Sequence, residues 1–191
     1  MQYTKVAPDA FQKLQMNAGI IVKSFVPATG VIGDIIAATT GGISFASNPT
    51  FSDFGEDVDN VPPNTWQLKR IDSFDPAISG TAVTLSPALA KSLVGAATID
   101  AKDATHIIPN YELTETDFDD IWFVGDYSDK NNGETTAGFI AIHIMNALNT
   151  TGFQLQTTKN GKGQFAFEFH GHYDLDNIET VPFEIFVKAG A

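Results

Sequence analysis

Three polar side chains near the end of the sequence have the types and spacing of metal ligands. Glu168, His170 and His172 occupy alternate positions in the stretch GQFAFEFHGHYD, residues 163–174. Alternation places them on one face of a β-strand, opposite a row of aromatic side chains. Imidazole and carboxylate groups bind zinc and iron in proteins, so the strand is a candidate metal site.

A complete site would need a third or fourth ligand from another strand, and the chain has only two further histidines. His143 lies among isoleucines, where a lone histidine is usually a hydrogen-bonded structural residue, and His106 starts a predicted strand near a proline. Two histidines on one face are weak evidence for a metal without partners. We therefore expect His170 and His172 to serve strand packing or a subunit contact, with no metal and no cofactor.

Other segments that could support catalysis each lack an essential residue. Residues 160–163, NGKG, lack the earlier glycine and the Ser or Thr of a phosphate-binding loop. Residues 126–134, DYSDKNNGE, place the glycine of a calcium loop one position early. No G-x-S-x-G motif and no cysteine nucleophile are present. The acidic residues between 112 and 120 are typical of a solvated loop. The sequence therefore predicts a protein that is not an enzyme.

Composition favours one soluble β-rich domain. The chain has 191 residues with 15 Phe, 16 Gly and no Cys, and aromatic residues favour strands while glycines favour tight turns. Its net charge of −12, from 23 acidic and 11 basic residues, is the opposite of what binding to nucleic acid requires. No apolar run is long enough to span a membrane, and no signal-peptide core follows the amino terminus. We expect a single domain over residues 1–191 and no membrane partner.

Alternating and β-branched segments predict about eight to ten short strands. They include residues 18–25, a strand from Ile43, and a strand over residues 65–85 that is interrupted near Pro76. Residues 138–149 fit a strand or a helix, and three isoleucines favour the strand. Asn-Gly pairs at 132–133 and 160–161 predict hairpin turns. The predicted fold is mainly β, with two packed β-sheets in a sandwich or barrel-like arrangement.

Two helices are predicted, one short and one strong. The short helix begins near Pro8. The strong helix flanks the sheets and spans residues 86–97, with Ser86 as its cap and Pro87 in its first turn. Leu89, Leu93 and Ala97 recur at four-residue spacing, leaving Lys91 and Ser92 to face water.

A long loop is predicted over residues 53–65. Its prolines exclude a central strand, and a loop of this length in a compact domain is usually functional or disordered. We predict self-association through this loop, and the candidate residues are Asp53, Glu56, Asp57, Asp59, Pro62 and Pro63.

Three segments, residues 35–60 (IIAATTGGISFASNPTFSDFGEDVDN), 120–133 (DIWFVGDYSDKNNG) and 138–175, together resemble the major tail proteins, or tail tube proteins, of long-tailed bacteriophages and prophages of Gram-positive bacteria. The resemblance covers nearly the whole chain and implies two packed β-sheets, one flanking helix and a protruding loop. It also implies hexameric rings that stack into a hollow tube, through which DNA passes without specific binding. Tape measure and tail terminator proteins are the other partners it implies.

The resemblance further implies that the protein is made in the bacterial cytoplasm and resides in the virion tail. We expect the chain to lack the carboxyl-terminal immunoglobulin-like domain that some members carry. An acidic channel wall would repel phosphates, which fits the net charge. The alternative function is a metal-dependent enzyme or a sugar-binding module on a β-sandwich, with Glu168, His170 and His172 near its site.

Overall fold

The computed structural model describes residues 10, 13–126 and 138–189, and strands dominate them. One α-helix, α1 (Pro87–Val94), lies in this described part, and short 3₁₀ turns occur at Trp66–Leu68, Glu115–Asp117 and Leu175–Asn177. The strands are β1 (Met16–Val22), β2 (Phe25–Val26), β3 (Val31–Ile32), β4 (Ile35–Ala37), β5 (Thr39–Asp53), β6 (Lys69–Ala82), β7 (Ala97–Ile99), β8 (Ile107–Pro109), β9 (Asp119–Asp126), β10 (Phe139–Asn149), β11 (Gln154–Gln156), β12 (Gln164–His170) and β13 (Phe183–Lys188).

Two antiparallel sheets share strand β10. The first sheet has the order β4-β1-β9-β10 with β13 also on β10, and the second has the order β12-β6-β5 with β11 on β12. The last residues of β10, Leu148 and Asn149, pair with β12 and so carry the chain from one sheet into the other. Only Ala38 separates β4 in the first sheet from β5 in the second. The order is linear, with β4 and β5 at its two ends, and the predicted mainly β fold of two packed sheets is confirmed.

The main core lies between the two sheets. Ile21, Ile121 and Ile144 of the first sheet meet Ile78 and Phe169 of the second, and all five are buried. A Cβ atom at Gly80 would lie 2.7 Å from Cζ of Phe167, so a glycine is needed where this ring crosses β6.

The predicted strong helix is confirmed over Pro87–Val94, but its predicted continuation to Ala97 is wrong, because the helix ends at Gly95 and Ala97 begins β7. Oγ of Ser86 accepts a hydrogen bond from the backbone N–H of Leu89 at 3.1 Å, and Pro87 lies in the first turn. Leu89 and Leu93 are buried in the core. The prediction that Lys91 and Ser92 face water is wrong, because Lys91 reaches the carbonyl of Thr116 and Ser92 donates to Asp119. The helix thus joins the sheets through both its apolar and its polar side chains.

The predicted interruption at Pro76 is wrong, because β6 runs without a break over 14 residues. The carbonyl of Pro76 accepts a hydrogen bond from Gly171. In a strand the N–H and C=O of one residue point to the same side, so the missing N–H of Pro76 faces β12, not β5. Strand β12 has already ended there, at the pair His170–Ala77. The proline therefore removes no ladder bond between β6 and β5.

Other predicted elements have mixed outcomes. The prediction of a strand over residues 138–149 is confirmed by β10. The β11–β12 hairpin is confirmed, but its connection spans residues 157–163 and is not a two-residue turn. The predicted helix near Pro8 lies almost wholly outside the described residues, and the Asn132-Gly133 turn lies entirely outside them.

Strands β5 and β6 continue beyond the rest of their sheet. After the pair His170–Ala77, no third strand in the described residues lies beside β6. Residues 47–53 and 69–76 therefore form a two-stranded ribbon, and residues 54–68 connect its ends without a strand. We call residues 47–76 the arm. The long loop predicted at 53–65 is confirmed as the tip of this arm, although Asp53 itself ends β5 and pairs with Lys69.

Candidate functional site

The strand with the spacing of metal ligands brings together two of the three predicted side chains. Nδ1 of His170 lies 2.7 Å from Oδ1 of Asp75, and Nε2 lies 3.4 Å from Oε1 of Glu168. Both ring nitrogens of His170 thus face carboxylates. His172 lies beyond the end of β12, where Nδ1 contacts the carbonyl of Asn146 at 3.0 Å.

This geometry favours packing roles for both histidines. The ring of His172 also meets Phe118 edge-on, with ring centroids 5.4 Å apart. Within the described residues, no group of three His, Asp or Glu side chains is placed to hold a metal ion. The other predicted histidines lie elsewhere: His143 stacks on Trp122 at 4.1 Å, and His106 lies 3.6 Å from Asp100.

The predicted loop residues lie together at the tip of the arm. Oδ1 of Asp53 accepts from the N–H of Gly55 at 2.9 Å, and Oδ2 accepts from the N–H of Asn64 at 3.0 Å. The carbonyl of Pro62 accepts from Oγ1 of Thr65 at 2.6 Å. Asp53 and Pro62 therefore shape the loop. The remaining predicted residues are exposed: Glu56, Asp57, Asp59 and Pro63.

The arm has one apolar face, which the sequence prediction missed. Phe51 pairs with Ile71 across the ribbon, and the two side chains are 52% and 46% exposed. Nζ of Lys69 lies 5.3 Å from the centre of the Phe51 ring. At the tip, Phe54, Val58 and Trp66 are exposed as well. The signal in the sequence was partial, because Phe45, Pro49 and Phe51 alternate along β5, whereas on β6 a register shift at Asp72 interrupts the alternation between Phe74 and Ile71.

The apolar face of the arm continues the core-facing side of the second sheet. By alternation, Phe45 and Phe51 lie on the same side of β5, and Phe74 continues this side on β6. Phe45 and Phe74 both contact Phe183 of β13, with ring centroids 5.6 and 5.7 Å apart. Oη of Tyr173 accepts a hydrogen bond from the N–H of Phe74 at 2.8 Å. The base of the arm is thus fixed to the body, while the rest of the apolar face has no second layer from the described residues.

The opposite face of the arm is polar. Oγ1 of Thr50 lies 2.7 Å from Oγ of Ser73 across the ribbon. Asn48 and Asp75 continue the same face toward the body. Ser52, its pair Arg70 and Asp72 extend this face toward the tip. The arm is therefore amphipathic, with polar and charged side chains on one face and large apolar ones on the other.

A buried carboxylate lies at the other end of the molecule, below α1. Asp117 is 5% exposed and accepts hydrogen bonds from the N–H and Oγ1 of Thr114 at 2.8 and 2.9 Å. Nζ of Lys91 lies 3.6 Å from its Oδ1. Burial alone would raise the pKa of Asp117, but the hydrogen bonds from Thr114 and Ala97 and the charge of Lys91 together hold this pKa below its usual range.

A cavity of about 520 Å³ lies beside β1, β9 and β10. Its walls include Ile20, Phe25 and Phe139, and its charged side chains are Asp126 and Lys188. Nδ2 of Asn17 donates to Asp126 at 2.8 Å. No histidine lines this cavity, so it does not join the candidate metal ligands.

No protein-family model matches the chain, and no curated protein matches it in sequence. No helix within the described residues is long and apolar enough to cross a membrane. What the chain does therefore has to be inferred from the arm and the surfaces around it.

Proposed function

We propose that this chain is the repeating structural subunit of a phage or prophage tail tube, in which stacked hexameric rings form a hollow conduit for DNA. The observation that carries the proposal is the arm. Its apolar face extends beyond the body, and the described residues do not cover it with a second layer. The resemblance of the sequence to tail tube proteins supports the same function.

The arm has a physical reason to bind another molecule. A two-stranded ribbon is marginally stable in water, and it gains stability when its apolar face packs on a partner. Removing a large apolar side chain from water contributes about 1.5–3 kcal/mol. Phe51, Ile71 and Trp66 are all at least 46% exposed, so a partner that covers the arm gains from several such side chains.

A second copy of this chain is the partner that the shape favours. The arm extends from one end of the body. A second copy that binds this arm with its body uses a surface different from its own arm. Such a contact is heterologous, and heterologous contacts close into rings or extend as filaments. Strand β13 offers a surface for the arm, because Ile185 and Val187 are exposed and, within the described residues, this strand pairs only with β10. These two features are what a subunit of stacked rings requires.

The test compares two double variants that change opposite faces of the same ribbon. Phe51→Ser with Ile71→Ser removes the apolar contacts, and Thr50→Ala with Ser73→Ala is the matched control on the polar face. We expect electron microscopy of concentrated protein to show rings or tubes for the parent and the control, and dispersed subunits for the first variant. Thermal unfolding checks that each variant is folded.

Two results would contradict the proposal. One is a parent protein that stays monomeric at high concentration. The other is a parent that contains one tightly bound metal ion per chain by elemental analysis, which would favour the metal-dependent alternative.

A further inference from the structure

We infer that Tyr173 is a positioning residue for assembly. Its side chain holds the base of the arm, so that the apolar face of the arm points in one direction before it meets a partner. This inference rests on the proposed function and names the contact that prepares the arm for binding. The observations behind it are the way β12 ends beside β6 and an extra residue in β6 just beyond that point.

Tyr173 continues the ladder between β12 and β6 after β12 has ended. The N–H of Gly171, the first residue past β12, donates to the carbonyl of Pro76 at 3.0 Å, and the chain then turns away from β6. The next N–H on this side of β6 is that of Phe74, which donates to Oη of Tyr173 at 2.8 Å. A side chain thus occupies the place that a longer β12 would take.

The backbone that carries Tyr173 is close-packed against the body. A Cβ atom at Gly171 would lie 2.8 Å from Cγ2 of Ile144 and 2.9 Å from the carbonyl oxygen of Pro182. Ile144 and Pro182 are both fully buried. Tyr173 therefore extends toward the arm from a tightly packed part of the molecule.

Phe74 is held to the body in two ways. Its ring contacts Phe183 of β13, with ring centroids 5.7 Å apart, and its N–H donates to Tyr173. The side chain of Tyr173 is itself 40% exposed, so its ring adds little to the core. The hydroxyl group is the part of Tyr173 that acts on the arm.

An extra residue in β6 lies just beyond this contact. Ser73 and Ile71 pair with successive residues of β5, so Asp72 between them has no partner on β5. Strict alternation from Phe74 would place Ile71 on the polar face of the arm. The extra residue restores Ile71 to the apolar face, beside Phe51.

A β-bulge of this kind bends its strand and increases the local twist. The direction of the outer part of the arm therefore depends on how firmly the ribbon is held before the bulge. Tyr173 binds β6 two residues before Asp72, which is where a support has the most effect on that direction.

A fixed arm binds a partner at a lower entropic cost. Ordering a mobile segment on binding costs free energy, so a segment already held in its binding direction binds more tightly without any new contact. Loss of the single hydrogen bond to Tyr173 should therefore weaken assembly about twofold to tenfold.

The test uses two Tyr→Phe substitutions. Tyr173→Phe removes the hydroxyl group and keeps the ring, and Tyr111→Phe is the matched control, because Tyr111 is fully exposed. Light scattering measures the critical concentration for rings or tubes, at a temperature well below the melting temperature of each variant. We expect this concentration to rise about twofold to tenfold for Tyr173→Phe and to stay unchanged for the control.

A second measurement separates positioning from general stabilisation. Because the chain has no cysteine, Arg70→Cys in the arm and Gln164→Cys in β12 can carry a pair of spin labels without background. Both positions are exposed, and they lie about 40 Å apart along the sheet. Double electron–electron resonance on unassembled subunits should give a narrow distance distribution for the parent and the control, and a broader one for Tyr173→Phe.

Deleting Asp72 provides a second variant that keeps Tyr173 in place. The deletion leaves Ile71 and Ser73 as regular neighbours in the ladder and removes the bend. We expect the mean distance between the labels to change while the width of the distribution stays that of the parent. A broader distribution would show that the bulge holds the arm, and would overturn the inference.

An unchanged distribution for Tyr173→Phe would overturn the inference, even if its melting temperature falls. A broader distribution with an unchanged critical concentration would do the same, because the direction of the arm would then not matter for assembly. Both results leave the proposed function intact. A parent protein that forms no rings or tubes would instead contradict the proposed function, and the inference with it.

Discussion

His170 and His172 have the spacing of metal ligands but separate structural surroundings. His170 contacts Asp75 and Glu168 on the outer face of the second sheet, and His172 packs on Phe118 past the end of the strand. The sequence could place Glu168 and His170 on one face by alternation. It could not show that β12 ends at His170, because the end depends on a tertiary contact in which the N–H of His172 donates to the carbonyl of Met145 in β10.

Replacing both histidines with glutamine should leave the fold and assembly intact near pH 7. The ion pairs of His170 involve carboxylates that are about half exposed, and such pairs contribute at most about 1 kcal/mol. For a domain of this size we expect the melting temperature to fall by a few degrees, roughly 2–4 °C per kcal/mol. Unfolding that added zinc or iron reverses in the parent protein alone would contradict this prediction.

Asp117 should make a pH-dependent contribution to stability. Its pKa in the folded state lies below the value of 3.8 expected for an unperturbed Asp, so the contribution is fully present above that value. It is lost as the pH falls through the folded pKa. Asp117→Asn replaces one carboxylate oxygen with an N–H₂ group, so the side chain can no longer accept from both Thr114 and Ala97 and loses the charge paired with Lys91. The substitution should cost about 1–3 kcal/mol at pH 7.

Thermal unfolding of the parent and of Asp117→Asn, measured from pH 7 to strongly acidic pH, checks this prediction. The difference between the two should be largest at neutral pH and shrink below about pH 4. A difference that does not change with pH would show that the lost packing, and not the charge, accounts for the effect.

At the scale of elements, strands and helix were predictable where local patterns agree with the tertiary structure. Ser86 and Pro87 marked the helix correctly because capping is a local interaction. The prediction of a break at Pro76 was wrong, since whether a proline interrupts a strand depends on which side its missing N–H faces.

The candidate site was predicted in part. The acidic tip was identified from its prolines and charges, but Phe51 and Ile71 were assigned to no surface because their exposure depends on where β12 ends.

Deleting residues 56–64 should leave the body folded and abolish rings and tubes. The β5–β6 ladder ends at the pair Asp53–Lys69, so the deletion shortens the tip without removing a ladder bond. The loss of Val58 and of the loop held by Asp53 removes the part of the arm farthest from the body. Light scattering of concentrated protein measures assembly, and circular dichroism measures the fold. Unchanged scattering would exclude the tip from self-association.

At the scale of the whole molecule, the charge balance limits what the protein can bind. Like charges at close contacts are costly, so the excess of 12 negative charges is best tolerated on surfaces that face solvent or an aqueous channel. Packing many copies into a tube concentrates these charges along water-filled surfaces. In the proposed tube, the same balance would make the channel unattractive to phosphates.

The free protein should therefore show no measurable affinity for double-stranded DNA at moderate salt. Any weak binding at low salt should decrease as salt is added, because it would come from phosphate contacts with the few exposed cations. A titration followed by fluorescence anisotropy at two salt concentrations measures both effects. Binding that persists at moderate salt would contradict a negative channel, as would a tube whose channel is lined mainly by Lys69, Arg70, Lys159 and Lys162.

The continuity of β5 and β6 from the arm into the body has a mechanical consequence. A pull on the tip acts along the strands, because the arm is a direct extension of the second sheet. The ladder between β6 and β12, from Ala77 to Ala82, is then loaded parallel to its strands and perpendicular to its hydrogen bonds. Bonds loaded in this direction share the force and must break together, unlike a hairpin peeled open from its turn. A filament joined through such arms would resist stretching at each junction with the combined strength of a sheet.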